Sequence, residues 1–151
     1  MDLNKAVESL NLKHYATSQK DLDLSDDERL FIQMYEPEKK IIIYGSLAPD
    51  RINHNKVEHI AGQWCKGIIR GQLEKIGWGA DLGYWGYKKT NSENDKVIDA
   101  FILFSDELST HYAALDDFEG EEYERVLAIF ELDTGEIGVG NVYALKENPE
   151  R

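Results

Sequence analysis

The sequence has few of the features that mark secreted, membrane or metal-binding proteins. It has one cysteine, Cys65, so neither an internal disulfide nor a cysteine-based metal spacing is available. No apolar run approaches the roughly 20 residues that a membrane helix requires. Residues 1–10 are polar and carry both acidic and basic side chains, unlike a signal peptide. We therefore expect a cytoplasmic protein with no membrane partner.

Positive charge is also scarce. The chain has 17 Lys and Arg against 29 Asp and Glu, which gives a formal net charge of −12. Nucleic acid is excluded as a partner because its phosphates would be repelled. A small anionic ligand would need local positive potential. Arg51, Arg70 and Arg125 are candidates for it, together with backbone N–H groups.

Several catalytic and cofactor motifs are missing. No Gly-Lys-Ser/Thr follows Gly45-Ser46, which excludes a Walker-type nucleotide loop. Ser46 lacks the flanking glycines of a nucleophile elbow, which argues against a serine hydrolase. The four histidines have no metal-ligand spacing. We expect neither a metal nor a cofactor.

Residues 1–38 predict an N-terminal helical extension. Ser25 followed by Glu28 has the form of a capping box, and Pro37 would end the helix that it starts. An earlier helix is predicted from three apolar residues at helical spacing, Leu3, Val7 and Leu10. The second helix would bury four apolar residues on one face, Leu30, Phe31, Met34 and Tyr35.

Residues 39–146 predict the main domain, and residues 147–151 a short tail. A helix is expected from Ser105 or Asp106 to about Phe118. Asp133-Thr134-Gly135 separates two alternating runs and predicts a β-hairpin. The predicted strands are 41–44, 66–73, 97–104, 123–132 and 136–145. Few crossover helices among sequential strands indicate an α+β fold with a curved or closed sheet.

Two segments carry possible chemistry. In the first, the apolar run Ile41–Tyr44 breaks into Gly45-Ser46-Leu47, where backbone N–H groups can turn outward to hold a carboxylate or phosphate. Glycine lets the backbone approach such a ligand closely. An ordinary strand-to-loop turn is the alternative interpretation.

The second segment centres on Glu119, which precedes a predicted helix end at Gly120. Burial, the helix dipole and neighbouring carboxylates would all raise its pKa toward the range useful for a general acid and base. The neighbouring carboxylates are Asp116, Asp117, Glu121, Glu122 and Glu124. The alternative is that all of these acids are solvated and none takes part in chemistry.

Three segments in this order and spacing carry a resemblance: Tyr44-Gly45-Ser46-Leu47, Leu115-Asp116-Asp117-Phe118-Glu119-Gly120 and Tyr123-Glu124-Arg125. Together they resemble the γ-glutamylcyclotransferase-like family, which includes the AIG2-like proteins and the γ-glutamylamine cyclotransferases. Asn141-Val142-Tyr143-Ala144-Leu145 and the segment from Gly77 to Tyr84 are also similar to family members. The resemblance covers about residues 40–146 and leaves the N-terminal extension outside it.

The resemblance implies a small mixed β-barrel with helices packed against it. It implies that Glu119 is the catalytic acid and base and that no metal is bound. The substrate-binding residues that it implies are Tyr44, Gly45, Ser46, Leu47, Tyr84, Tyr123, Arg125 and Tyr143. One departure concerns the substrate: family members often have proline after the residue that matches Tyr84, and Trp85 stands there in this chain.

The implied function is cyclisation of a γ-glutamyl amine or peptide to 5-oxoproline. The implied partner is a small γ-glutamyl metabolite, and the implied assembly is a monomer or a homodimer. Two alternatives stay open. The fold could bind a small metabolite or a protein without catalysis, or it could remove a γ-glutamyl protecting group from a larger amine.

Overall fold

The computed structural model describes residues 2–18, 21–44, 57–74, 86–88, 95–119 and 123–145. Within these ranges there are three α-helices: α1 (Leu3–Leu12), α2 (Asp26–Tyr35) and α3 (Tyr112–Glu119). Six strands accompany them: β1 (Lys40–Ile43), β2 (Gln63–Glu74), β3 (Gly86–Lys88), β4 (Lys96–Phe104), β5 (Tyr123–Leu132) and β6 (Ile137–Leu145). Short 3₁₀ turns, Pro37–Lys39 and Leu108–Thr110, precede β1 and α3.

Five of the strands close into a barrel. Their order around the ring is β1–β4–β2–β5–β6, and β6 pairs with β1 to complete it. The β1–β6 pairing is parallel and the other ring pairings are antiparallel. The short strand β3 bridges β2 and β6. The predicted α+β fold with a small mixed β-barrel is confirmed.

Gly67 permits β2 to pass close to β5 where the ring closes. A Cβ at this position would lie 2.6 Å from the carbonyl oxygen of Glu131, too close for any other residue without a backbone shift. Gly67 pairs with Leu132 and Ile68 pairs with Glu131 across this junction. The closure of the barrel therefore depends on the absence of a side chain at one point.

Alternation along the strands divides the apolar residues between the barrel interior and its outer surface. In β5, Ala128 and Phe130 belong to the interior cluster, whereas Leu127 and Ile129 face the N-terminal helices. The interior also contains Ile42, Ile69, Ile98, Ile102 and Val142. The barrel is thus filled by side chains from every strand of the ring.

The hairpin between β5 and β6 forms as predicted. The N–H of Leu132 donates to the carbonyl oxygen of Glu136 at 2.8 Å, which closes the turn. Gly135 has a φ of 91°, a left-handed conformation that glycine adopts at little cost. The sequence Asp133-Thr134-Gly135 therefore suits its turn.

Helix α3 lies on the outer surface of the barrel over β1. The outward residues Ile41 and Ile43 belong to the apolar cluster that α3 covers. The helix was expected to start at Ser105 or Asp106, but a turn occupies this position, and the Ser105 hydroxyl accepts a hydrogen bond from the N–H of Glu107 at 3.1 Å. The α-helix begins only after the following 3₁₀ turn.

The capping box of α2 is confirmed, and two residues of its predicted apolar face, Phe31 and Tyr35, do pack, but the other two do not. Leu30 and Met34 are 55% and 67% exposed. The residues that pack are Glu28, Phe31, Ile32 and Tyr35. Their spacing of i, i+3, i+4 and i+7 makes one regular helical stripe. Because this stripe includes the buried acid Glu28, a prediction from apolar residues alone selects a different face of the helix.

Two polar connections fix the N-terminal helices in place. Glu28 accepts hydrogen bonds from the Ser9 hydroxyl at 2.8 Å and from the Lys13 ammonium at 2.7 Å, which joins α2 to α1. The Lys13 hydrogen bond is the main reason that the pKa of Glu28 is lowered to about 2. The side-chain amide of Asn11 pairs with both backbone groups of Leu127, at 2.9 Å each, which joins α1 to β5.

Candidate active site

Glu119 is the last residue of α3 and is half-buried. Its pKa is raised from 4.5 to about 7, first by burial and then by the negative charge of Asp116. Burial disfavours the ionised form because the charge loses its hydration. A carboxyl group with such a pKa can accept and return a proton near neutral pH. Gly120, the predicted helix stop, lies outside the described residues.

Tyr44 follows the end of β1 and holds three strands together at this end of the barrel. Its hydroxyl accepts a hydrogen bond from the N–H of Tyr87 at 2.8 Å and donates to the carbonyl oxygen of Tyr143 at 2.8 Å. Burial is the main cause that raises the pKa of Tyr44, and the nearby charge of Glu119 adds to the rise. Tyr44 and Glu119, two of the predicted site residues, therefore lie close enough to interact electrostatically.

The other part of the predicted binding loop, Gly45-Ser46-Leu47, lies outside the described residues, and so does Tyr84. Their proposed contacts with a ligand stay predictions. The described geometry concerns the strand that leads into the loop and the helix that carries Glu119.

Arg125 is buried and binds protein groups rather than an open surface. Its Nε and Nη2 donate to the two carboxylate oxygens of Asp116, at 3.0 and 3.4 Å, and its Nη1 donates to Asn141 Oδ1 at 3.0 Å. The guanidinium carbon lies 3.9 Å from the centre of the Tyr112 ring, a cation–π contact. Arg125 therefore supports the site through its partners.

Tyr143 completes this network from β6. Its hydroxyl donates to Asp116 Oδ1 at 2.6 Å, a short charge-assisted hydrogen bond. Its pKa is raised mainly by burial, then by Asp116, and Glu119 adds a smaller rise. Tyr123, half-buried at the start of β5, packs against the same apolar cluster as Tyr143. The structure thus brings Tyr44, Tyr123, Arg125 and Tyr143 together around the end of α3.

Three members of this cluster were not among the predicted site residues: Asp116, Asn141 and Tyr112. The amide of Asn141 donates to the carbonyl oxygen of Pro37 at 2.9 Å and to the Tyr112 hydroxyl at 3.1 Å. The one sequence signal was the position of Asp116, three residues before Glu119 and therefore on the same helical face. Tyr112 lies one turn before Asp116 on α3, and Asn141 is brought to the site by β6.

Two hydrogen bonds determine whether the Tyr44 and Tyr143 hydroxyls can donate to a ligand. The single proton of Tyr44 is given to a backbone carbonyl, and that of Tyr143 is given to Asp116. Both hydroxyl oxygens can therefore only accept further hydrogen bonds. A ligand that reaches these two hydroxyls would therefore have to offer N–H or O–H donors.

A groove of about 710 Å³ lies elsewhere, at the other end of β1. Lys40, Gln63 and Phe104 line it, whereas Tyr44 is at the opposite end of the same strand. Lys39, also in its lining, is already paired with Glu36 and Asp106. The charge of Lys39 is thus balanced by acids of the groove itself.

No cluster of three or more His, Cys, Asp or Glu side chains in the described ranges is arranged to hold a metal ion. None of the helices in the same ranges combines the length and the apolar character needed to cross a membrane.

Comparison with solved structures identifies the fold. YkqA from Bacillus subtilis is 21% identical, with a TM-score of 0.54, and the match covers 72% of this chain and 36% of YkqA. The chain thus spans about a third of the length of that relative. An AIG2-like protein from Mus musculus (ggact) is 19% identical, with a TM-score of 0.51, and the match covers 74% of this chain and 80% of the mouse protein.

No protein-family model matches the sequence, and no curated protein matches it. Because the sequence identity to these structures is low, the matches show the fold alone. The chain therefore has the γ-glutamylcyclotransferase-like fold that the resemblance implied.

Proposed function

We propose that this protein is a γ-glutamylcyclotransferase-like enzyme that converts a γ-glutamyl amine or peptide to 5-oxoproline and releases the free amine. The observation that carries the proposal is the Glu119 carboxyl group, half-buried beside Tyr44 with its pKa raised to about 7. At neutral pH such a group is present in both protonation states, which the reaction needs in turn.

The reaction begins with the α-amine of the substrate. Its nitrogen attacks the γ-carbonyl carbon and gives one proton to the Glu119 carboxylate, and a five-membered ring closes. The bond between the γ-carbon and the departing nitrogen then breaks as Glu119 returns the proton to that nitrogen. Glu119 ends in its starting state, and no water is consumed.

Two further features favour this chemistry. The Tyr44 and Tyr143 hydroxyls can only accept near Glu119, so they suit the N–H groups of an amine. The attack is intramolecular, so holding the substrate in a folded shape supplies much of the rate. In this proposal the N–H groups of Gly45, Ser46 and Leu47 bind the α-carboxylate.

The test is formation of 5-oxoproline by the wild-type protein and by Glu119→Gln, with a panel of γ-glutamyl amines and dipeptides. We expect the wild type to be active on at least one compound and the variant to be slower by roughly 10²–10⁴-fold, the usual contribution of general acid–base catalysis. Asp117→Asn is the matched control, because Asp117 is exposed and removal of its charge leaves Glu119 in place.

The outcome also separates the alternatives. If the wild type forms no more 5-oxoproline than Glu119→Gln, the catalytic proposal is wrong and a binding role takes its place. If only compounds with large amines react, removal of a γ-glutamyl protecting group is the better description.

A further inference from the structure

Asp116 is a partly exposed acid whose carboxylate is bound by two strands of the barrel. It lies on the same face of α3 as Glu119, one turn earlier. Arg125 donates two hydrogen bonds to its carboxylate from β5, and Tyr143 donates a third from β6 at 2.6 Å. Donors on two different strands therefore fix the orientation of one helical side chain.

The first effect of this arrangement concerns the Tyr143 proton. A phenol that donates to a carboxylate stabilises its ionised form. Because the Tyr143 hydroxyl donates to Asp116, it has no proton left for Glu119. Glu119 and Tyr143 interact electrostatically, and with its proton on Asp116 the Tyr143 hydroxyl cannot stabilise an ionised Glu119 by donating to it.

The second effect is electrostatic. The charge of Asp116 raises the pKa of Glu119, although burial is the larger cause. The Asp116 side chain is 39% exposed, so water screens its charge, which agrees with this order. Within the described ranges, the charge of Glu119 also acts on the phenols of Tyr44, which follows β1, and Tyr143 in β6, and their raised pKa values keep both neutral.

Arg125 does not cancel this effect. Its guanidinium is directed to Asp116, Asn141 and the Tyr112 ring, and it is buried under α3. Its role is to hold the carboxylate that opposes ionisation of Glu119. Both effects of Asp116 therefore act in the same direction.

We propose that Asp116 is the positioning residue of the reaction: it engages the Tyr143 hydroxyl and keeps the proton on Glu119 until the departing amine takes it. Asp116 acts through Glu119 and does not contact the substrate. The proposal rests on the proposed function for its meaning in catalysis, but the effect of Asp116 on Glu119 can be measured without turnover.

The experiment is a titration of the Glu119 carboxyl carbon by ¹³C NMR in the wild type, Asp116→Asn and Asp117→Asn, with Glu119→Gln to assign the signal. We expect Asp116→Asn to lower the pKa of Glu119 from about 7 to a value that stays above 4.5, because burial remains. Asp117→Asn removes the same charge from an exposed neighbour and should leave the Glu119 titration unchanged. Asp116→Ser is a second uncharged variant in case the asparagine variant does not fold.

Turnover gives a separate readout. In the variant without the Asp116 charge, the pH profile of kcat should move to lower pH by the same amount as the Glu119 titration, with KM little changed. An unchanged Glu119 titration in both uncharged variants overturns the positioning role, whatever the activity. If the wild type forms no 5-oxoproline, the proposed function is wrong, and so is the catalytic part of this proposal. The titration then still shows whether Asp116 affects the pKa of Glu119.

Discussion

Replacement of Glu119 by glutamine should stabilise the protein in neutral and mildly basic solution. The pKa of Glu119 is about 7 in the folded protein against 4.5 for an unperturbed glutamate. The folded state therefore binds more protons than the unfolded state between these pH values, and the stability of the wild type falls as pH rises through this window. Below pH 4.5 both states are protonated and the penalty is absent.

The size of the stability difference follows from the rise in the pKa of Glu119 on folding. A rise from 4.5 to about 7 corresponds to roughly 3 kcal/mol, at about 1.4 kcal/mol for each tenfold change in ionisation constant. This figure is an upper limit because the half-buried side chain keeps some contact with water. Glutamine does not titrate, so the stability of Glu119→Gln relative to the wild type should increase by up to roughly 3 kcal/mol between about pH 4 and about pH 8.

Urea denaturation followed by tryptophan fluorescence measures this difference, since the chain has three tryptophans. The midpoints of the wild type and of Glu119→Gln should converge at low pH and separate as pH rises. Asp117→Asn should show no such separation, because Asp117 is exposed. A stability difference between Glu119→Gln and the wild type that stays constant with pH would refute the raised pKa of Glu119 in the folded protein.

Two further predictions concern the N-terminal helices. Asn11→Ala leaves both backbone groups of the buried residue Leu127 without their partner, so the free energy of unfolding should fall by about 2–4 kcal/mol. Leu12→Ala, at a position 82% exposed, should change it by less than about 0.5 kcal/mol, and equal effects of the two variants would contradict the role of Asn11. Glu28→Gln should lower stability at neutral pH by about 1–3 kcal/mol. The pKa of Glu28 is lowered to about 2, mainly by Lys13. The stability difference between Glu28→Gln and the wild type in urea denaturation should therefore shrink as pH falls from 4.5 to about 2. A difference that persists at the lower pH would contradict the lowered pKa.

The elements that the sequence predicts well are those set by neighbours along the chain. Ser25 and Glu28 are three residues apart, and their reciprocal hydrogen bonds form within one turn of helix. The hairpin at Asp133-Thr134-Gly135 joins two strands that pair with each other directly. Each signal is complete within a short stretch of sequence.

Features that depend on distant contacts were less predictable. Leu30 and Met34 are apolar, yet they are exposed, because Glu28 occupies the packed face of α2 and is satisfied there by α1. The parallel pairing of Ile41 with Asn141, which closes the ring, joins residues a hundred positions apart. Nothing near either residue in the sequence specifies that pairing.

The candidate site shows the same division. Glu119 and Arg125 stand out in one acidic segment of the sequence, but their connection through Asp116 does not. Arg125 and Tyr143 lie opposite each other in the β5–β6 register, and α3 must fold back over this pair before Asp116 can accept from both. The hydrogen-bond network is therefore a product of the tertiary fold.

The pairing of Asn11 with Leu127 has a consequence for association between molecules. Among the residues that the structure describes, β2 pairs with β5 only at Leu132 and Glu131, so the strand edge around Leu127 relies on α1 for cover. Exposed edges of this kind recruit strands from other chains and begin aggregation. A chain that lost α1 to proteolysis would expose this strand edge. Helix α1 therefore protects the folded protein against self-association.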